Sequence, residues 1–428
     1  LGKPGEGLKI ALTTLNTGRL TMPSMAAALG KLALHYARDW SKKRVQWGRP
    51  IGHHQAIAEK LADMATETFA IESLQYFVSG LVDRGGVDIR LEAALSKYYA
   101  TERAWRIADD LVQIRGGRGY ETAESLARRG EDPIPAERML RDARIARIIE
   151  GTSEIMRLFI AREALDFHLR HMKPLVDRLA DVPSQELPGA FLKLLWYEGK
   201  SVWPVLRFYF RWYLKQWLPA MRSIDAAHLS LPNRGHLNFI AKASRKLARS
   251  LFASVLRFQQ GIEREHILLR AYVDIGADLF AMGVILSRAE SVSAEGQPEA
   301  ATIQKLANYF CTRARQRISE NVRLTRRNYG RAAAQVGRMV LDENFEWLMS
   351  DVYSDFPPQF LSSEQIRESL SSKPDKGSVD VAVKAQQEEL ESNTTPILPM
   401  EEKPIKTGIA SESSPSPEPE VIPSDEES

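Results

Sequence analysis

The stretch Ile148-Ile149-Glu150-Gly151-Thr152-Ser153-Glu154-Ile155-Met156-Arg157-Leu158 ends one helical pattern and opens another. Before it, apolar residues recur at helical spacing through Met139, Leu140, Ile145 and Ile148, and the helix is expected to reach Ile149. The pattern resumes at Ile155 and runs through Leu158, Phe159, Ala161 and Leu165, with Thr152 or Ser153 placed to cap the new helix. A carboxylate, Glu150, therefore falls in the joint, followed by a glycine that admits close approach of a ligand to the backbone. Taken alone, such a joint fits a surface connector as well as a site.

Outward from the joint, the chain reads as long helices separated by glycine and proline. An amphipathic run over 20–40 contains Ala26, Ala27, Ala28 and Gly30, small enough for close helix contact, and is stopped by Gly48 and Pro50. A second helix is expected over 55–82, ended by Gly85-Gly86. A third, over 89–114, has Asp88 as its cap and Gly116-Gly117 as its end. The fourth follows Glu150 and is expected to stop before Pro174. Short breaks between such helices predict an all-α, antiparallel four-helix bundle, and no segment alternates as a strand.

Composition sets the bounds. A chain of 428 residues that is 44% hydrophobic can bury a core and holds two to three domains. A net charge of +3 does not indicate a globally basic nucleic-acid binder. The single cysteine, Cys311, excludes an internal disulfide framework and a cysteine-cluster metal site, and no metal ligands are assigned. The chain opens at Leu1 with no initiator Met or targeting peptide, and its first residues read as the interior of a longer polypeptide.

Two further joints carry chemistry unusual for connectors. Arg44-Val45-Gln46-Trp47-Gly48-Arg49-Pro50-Ile51 sets guanidinium groups beside an aromatic and a glycine, which suits a planar, phosphate-bearing ligand. Gln113-Ile114-Arg115-Gly116-Gly117-Arg118-Gly119-Tyr120 offers bare backbone amides at a helix boundary, where pyrophosphate oxygens bind. Either segment alone is more simply a helix end.

Together, in this order, the three joints resemble the C-terminal half of an acyl-CoA dehydrogenase. That family carries an R-x-x-F-G helix joint, then Q-I-x-G-G-x-G-Y, then Y/F-E-G-T-x-x-I-x-R. The resemblance is strongest to the very-long-chain acyl-CoA dehydrogenases, through Leu15-Asn16-Thr17-Gly18-Arg19 and a second helical region, and covers roughly residues 2–325. It implies FAD as cofactor, acyl-CoA as substrate, and Glu150 as the base that removes the α-proton to give a trans-2-enoyl-CoA. The family's enolate oxygen is met by the backbone N–H of that same glutamate, with Gly151 keeping the path open; Asn16 and Arg19 match residues lining the acyl-CoA site. Two branches of the family place their base one residue before the arginine matched by Arg19; that position here is Gly18. Positions matching FAD contacts are Arg44, Gln46, His54, Gln55, Gln113, Gly116, Gly117, Thr152 and Glu154. Some of these contacts reach an FAD whose flavin lies in a neighbouring subunit, which implies a homodimer, and the implied electron acceptor is electron-transferring flavoprotein. Trp47, Ile149, Arg115 and Arg118 depart from the family pattern, and the segment 121–135 is longer than its counterpart. The family's N-terminal helical and central β-domains would precede Leu1, so this stretch alone is expected to be inactive. A non-catalytic scaffold relative, an acyl-CoA oxidase and a DNA-associated flavoprotein of the same fold are the competing readings.

The expected domain order is the bundle at 1–173, a basic aromatic connector at 174–235, a second helical domain at 236–365 and an acidic tail rich in Pro and Ser at 366–428. Within 187–222, Lys193, Lys200, Arg207, Arg211, Lys215 and Arg222 face a single Glu198, interleaved with Trp196, Trp203, Phe208, Phe210, Trp212 and Trp217. Such a stretch is too interrupted by charge to span a bilayer, yet suits a membrane surface or packing on the core. The resemblance favours peripheral membrane contact, on the inner face of a bacterial cytoplasmic membrane or in the cytoplasm. In a eukaryote the matching place is the matrix side of the mitochondrial inner membrane. In the second helical region, where periodicity returns over 242–351, the arginines fall at helix-surface spacings with matching Glu and Asp nearby, so no nucleic-acid partner is expected. The tail lacks apolar periodicity and is expected to be disordered.

Overall fold

The computed structural model describes residues 2–179, 199–217 and 226–353. The tail expected at 366–428 lies outside the described residues, as do 187–198 and 218–222 of the basic stretch. The all-α expectation holds. The only strands among the described residues are β1 (Val45–Gln46) and β2 (Arg49–Pro50), a two-residue antiparallel hairpin.

Four long helices form the bundle: α1 (Gly7–Lys43), α2 (Gln55–Arg84), α3 (Arg90–Arg115) and α7 (Ser153–Leu179). Short helices α4 (Gly117–Tyr120), α5 (Ala123–Arg128) and α6 (Ala136–Ile145) lie between α3 and α7. Gly18 in α1 and Lys97 in α3 both meet the Glu150 joint, whereas Trp40 and Arg115 meet at the far ends of the same helices. α1 and α3 therefore run in the same direction, and α2 and α7 run against them. Buried alanines on α1 (Ala26, Ala27, Ala33, Ala37) let it sit close against Met64 and Ile71 of α2 and Ala100, Ala104 and Ile107 of α3.

Several boundaries differ from expectation. α1 begins at Gly7 and carries Pro23 inside it, and α7 runs through Pro174 to Leu179. α6 ends at Ile145, so Ile148 and Ile149 sit in turns, half exposed, instead of closing a helix. Asp88 does not occupy the cap position of α3. Its carboxylate accepts from the Arg90 N–H at 3.2 Å and grips the Arg90 guanidinium.

Beyond the bundle lie α8 (Gly199–Lys215), α9 (Leu231–Phe258), α10 (His266–Ala294), α11 (Ala300–Arg326) and α12 (Gly330–Leu341). α9 starts eleven residues before the expected 242. α13 (Glu346–Tyr353) belongs to a separate unit, Asn344–Ser428. α10 and α11 share one apolar cluster with Leu74, Tyr98, Met156 and Ile160 of the bundle.

A polar seam runs through that packing. Arg317 of α11 grips Asp278 of α10 at 2.8 Å and reaches Glu67 of α2 at 3.3 Å. Arg103 of α3 bridges Glu67 and Asp278, each at 3.4 Å, and the Tyr99 hydroxyl donates to Glu67 at 2.7 Å. Burial works to raise the Glu67 carboxyl, but Arg103 and Arg317 override it and hold it below the usual carboxylate range. Arg157 and Tyr98 meet Asp274, and Arg313 and Tyr309 meet Asp63, along the same interface. Arginines that stand out in the sequence as a charge-rich helix are thus directed inward, at carboxylates.

Candidate active site

Glu150 lies between α6 and α7 with φ +55°, a left-handed conformation uncommon for a residue with a side chain, and Gly151 follows at φ +101°. The turn folds the glutamate back onto α1. A Cβ built on Gly18 would stand 2.2 Å from Glu150 Oε1 and 2.8 Å from Oε2, so the empty position 18 is the space that the carboxylate fills. Glu150 Oε2 is buried and has no hydrogen-bond partner among the described residues. Beside it, Arg19 is buried, its guanidinium 4.7 Å from the centre of the Phe159 ring. Burial lowers the Arg19 pKa, opposed by the charges of Glu150 and Glu163. Asn16 falls one turn earlier in α1; its side chain lies outside the described residues.

The joint is anchored to α3 at both ends. The Lys97 ammonium, only 1% exposed as a residue, donates to the Ile149 carbonyl at 3.0 Å and the Gly151 carbonyl at 2.9 Å. Burial pulls the Lys97 pKa down to about 8, against the raising effect of Glu150. Glu102, farther along α3, accepts from Arg147 Nε at 2.7 Å and from the Ser153 hydroxyl. Thr152 Oγ1 accepts from the Ile155 N–H at 3.4 Å, the capping contact anticipated from the sequence, while Glu154 is exposed on the first turn of α7. Gly151 is crowded on one side: a Cβ there would meet Met156 Sδ at 2.9 Å.

The other expected site residues gather elsewhere. Arg44 and Gln46 are exposed on the hairpin that ends α1; Gln55 is exposed at the start of α2. His54 closes the hairpin, its Nε2 3.1 Å from the Gln46 carbonyl and its ring edge-on to Trp47 at 5.5 Å. Gln113, Gly116 and Gly117 are exposed at the end of α3, and Gly116 takes φ +62°. Arg115 and Arg118, which depart from the family pattern, lie over the ring of this corner's Trp40 at 4.9 and 5.7 Å, and Arg118 also grips Glu131 at 2.6 Å. Between Gly18 and Trp40 the rise along α1 is about 1.5 Å per residue, which separates this corner from Glu150 by roughly 30 Å. The fold thus brings Gly18, Arg19, Glu150, Gly151 and Thr152 to one end of the bundle, and Arg44, Gln46, His54, Gln55, Gln113, Gly116 and Gly117 to the other.

Lys97, Glu102, Arg147 and Phe159 escape a reading of the sequence by motif. Lys97 does leave a trace: it stands among Ala93, Ala94, Ser96, Tyr98 and Ala100, a lone cation where helical spacing puts the buried face of α3.

An all-α four-helix bundle is the fold that the sequence resemblance implies for the C-terminal domain of an acyl-CoA dehydrogenase. Residues 5–165 match the family described as acyl-CoA dehydrogenase, C-terminal domain, and residues 235–340 match the ACAD9/ACADV C-terminal domain. The chain belongs to the acyl-CoA dehydrogenase family, of which it carries these C-terminal domains. It is 41% identical over 354 residues to the probable acyl-CoA dehydrogenase FadE10 of Mycobacterium tuberculosis, covering 81% of this chain and 52% of that protein. Against the human very long-chain specific acyl-CoA dehydrogenase, identity is 33% over 323 residues, covering 75% of this chain and 45% of the relative. A crystal structure of a Bacillus anthracis acyl-CoA dehydrogenase complexed with FAD aligns with a TM-score of 0.55 at 25% identity, over 76% of this chain and 51% of that one. The chain spans about half the length of the curated relatives it matches.

Proposed function

We propose that this chain supplies the proton-abstracting part of an FAD-dependent dehydrogenase. Its reaction turns long- or very-long-chain acyl-CoA into trans-2-enoyl-CoA, as in fatty-acid β-oxidation. The observation that carries the reading is Glu150 itself, a carboxylate held over Gly18 with one oxygen buried and without a partner. A weakly acidic thioester α-proton needs a base of this kind, within hydrogen-bond reach and shielded from water. In the step proposed, the α C–H bond breaks, the proton passes to a Glu150 oxygen, and the electron pair, delocalised toward the thioester carbonyl oxygen, becomes the Cα–Cβ double bond as the β-hydrogen leaves with its own pair. The Glu150 N–H is the donor that would meet that oxygen. When bound, FAD supplies the acceptor for the β-hydrogen and its electron pair. Arg19 and Asn16 match residues that line the acyl-CoA site in the family.

The residues present fit FAD. Arg44 is exposed and makes no ion pair among the described residues, and nothing lies within 4 Å of a Cβ built on Gly116 or Gly117; the Gly116 N–H is taken by the Val112 and Gln113 carbonyls, which leaves the Gly117 N–H, at the start of α4, as the amide this corner offers a pyrophosphate. Thr152 and Glu154 stand at the Glu150 end. Because the corner with Arg44 and Gly116 lies at the opposite end of the bundle from Glu150, the two groups serve one cofactor most simply when each comes from a different copy. That placement supports the proposed homodimer. Electrons would pass on to an electron-transferring flavoprotein, the acceptor that the resemblance implies.

The test is anaerobic: this chain within the full-length, flavin-loaded enzyme, mixed with palmitoyl-CoA, is expected to bleach in a single turnover. No bleaching with any acyl-CoA, short or long, would overturn the reading in favour of a scaffold relative. Gly18→Ala probes the same geometry. Its methyl group takes the place of the carboxylate, and since a displacement of about 1 Å in an active site can cost roughly 10²-fold, bleaching is expected to slow by about that factor with flavin retained.

The membrane part of the proposal rests on α8. Tyr209, Trp212 and Tyr213 pack inward around Phe252 of α9. On the outer face Trp203, Arg207, Phe210, Leu214 and Trp217 recur at spacings of four, three, four and three, all exposed, with Arg211 and Lys215 beside them. Among the described residues no helix is long and apolar enough to cross a membrane. We place the enzyme on the surface of an anionic membrane, on the cytoplasmic or matrix side. Replacing Arg207, Arg211 and Lys215 with Glu removes cations worth about 1 kcal/mol each at such a surface. The variant is expected to stop floating with phosphatidylglycerol-rich vesicles at low salt while keeping its rate with a soluble medium-chain acyl-CoA. Parental flotation of the variant would assign α8 to packing.

A further inference from the structure

We propose that Lys97 is a positioning residue for Glu150: by holding the carbonyl groups on both sides of the glutamate, it fixes the backbone that seats the carboxylate and aims the Glu150 N–H. The inference rests on the dehydrogenase reading above and goes beyond it, to a residue that touches neither substrate nor cofactor.

Three observations converge. The ammonium lies 3.0 Å from the Ile149 oxygen and 2.9 Å from the Gly151 oxygen, so one side chain clamps the residues on both sides of the base. Glu150 between them adopts φ +55°, a conformation that a residue with a Cβ keeps only when its surroundings impose it. The clamp is buried and belongs to α3, a helix packed on α1, so it is fixed relative to Gly18 on the far side of the carboxylate.

Peptide geometry extends the consequence. The Ile149 C=O and the Glu150 N–H belong to the same planar unit and, in the trans form, point in opposite directions. With the oxygen drawn toward Lys97, the N–H is turned away from α3. Lys97 thereby orients two groups of the proposed chemistry together: the carboxylate that takes the α-proton and the amide that meets the developing oxyanion. An ammonium suits the task because it carries three N–H donors on a flexible stem and reaches two carbonyls at once. Glu102, gripping Arg147 and Ser153, holds the ends of the loop but leaves the peptide planes next to Glu150 free to rotate.

A purely structural role would lower the stability of the fold and leave the chemistry of the folded fraction intact. Positioning predicts the reverse, so the test reads proton abstraction directly. The variant is Lys97→Met, which fills similar volume without donors, in the full-length, flavin-loaded enzyme. The probes are palmitoyl-CoA and a 3-thia-acyl-CoA, whose sulfur blocks loss of the β-hydrogen. With that analogue the α C–H bond breaks, the proton goes to Glu150 and the electron pair stays in the enolate, which reports itself as a long-wavelength charge-transfer band with the flavin. Flavin content and analogue affinity are expected to stay within about threefold of the parent. The band is expected to vanish, and bleaching by palmitoyl-CoA to slow by about 10²-fold. An α-deuterium isotope effect larger than the parent's is expected with it.

A folded Lys97→Met that keeps the band and the parental bleaching rate overturns the proposal alone. A parent protein that shows neither band nor bleaching overturns the dehydrogenase reading, and this proposal with it. If Lys97→Met does not fold, Lys97→Arg takes its place, keeping the charge while shifting the donors. A folded Lys97→Arg is expected to lose at least tenfold in bleaching, and parental bleaching by it overturns the proposal. Failure of both to fold also overturns it, since the lysine would then hold the bundle together and not one turn of it.

Discussion

Glu150→Gln is expected to retain flavin and bind acyl-CoA while losing reductive bleaching by at least about 10²- to 10⁴-fold, the span seen when a positioned base is removed. The substitution isolates proton transfer. An amide of the same shape fits the space over Gly18, keeps the backbone that Lys97 holds, and leaves the Glu150-position N–H in place. What it lacks is a lone pair basic enough to take the α-proton. Stopped-flow mixing with palmitoyl-CoA under anaerobic conditions measures the loss. Bleaching near the parental rate would move the base to another residue.

The second large effect concerns the seam between the bundle and the helices behind it. Asp278→Ala leaves the guanidinium groups of Arg317 and Arg103 facing Glu67 alone inside the interface, and removing one partner of a buried ionic group costs about 3–5 kcal/mol. A shift of that size is read as a lower urea midpoint with an unchanged slope. Arg138→Ala, which breaks only an exposed pair with Asp142 on α6, is the control, with a loss below about 1 kcal/mol. A loss of similar size in both would demote the seam to an ordinary surface pairing. The seam also has an acid limit. The Glu67 pKa is lowered in the fold, so its contribution is complete above the ordinary carboxylate range and is lost as pH falls through the lowered value.

The bundle is legible because glycines separate its first three helices and small residues recur on the face that packs, as in Ala26 and Ala27. Glu150 was legible for a different reason: a carboxylate in a joint, followed by glycine, is a local signal. The partners of Glu150 are not local. Lys97 reaches the Ile149 carbonyl across 52 residues of chain and Glu102 reaches Arg147 across 45, contacts that leave no spacing rule behind. The end of α6 was misread for a related reason. Ile148 and Ile149 continue an apolar period, but Lys97 draws the Ile149 carbonyl out of any helical ladder. The inward aim of Arg313 and Arg317 was hidden too, because their partners Asp63, Glu67 and Asp278 lie on two other helices.

The vacancy at position 18 has an evolutionary consequence. A side chain beginning there would occupy the space now filled by the Glu150 carboxylate, 2.2 Å away, so the fold offers one small volume that two chain positions can fill. A relative whose base sits one residue before the arginine draws on the same volume from the opposite side. With Glu150 as the proposed base, exchange between the two layouts takes at least two substitutions, and neither order is smooth: losing Glu150 first would leave the site without its base, and filling position 18 first would set two carboxylates in one place. The proposed assignment thus predicts that a relative holds one arrangement or the other, with no single substitution leading between them.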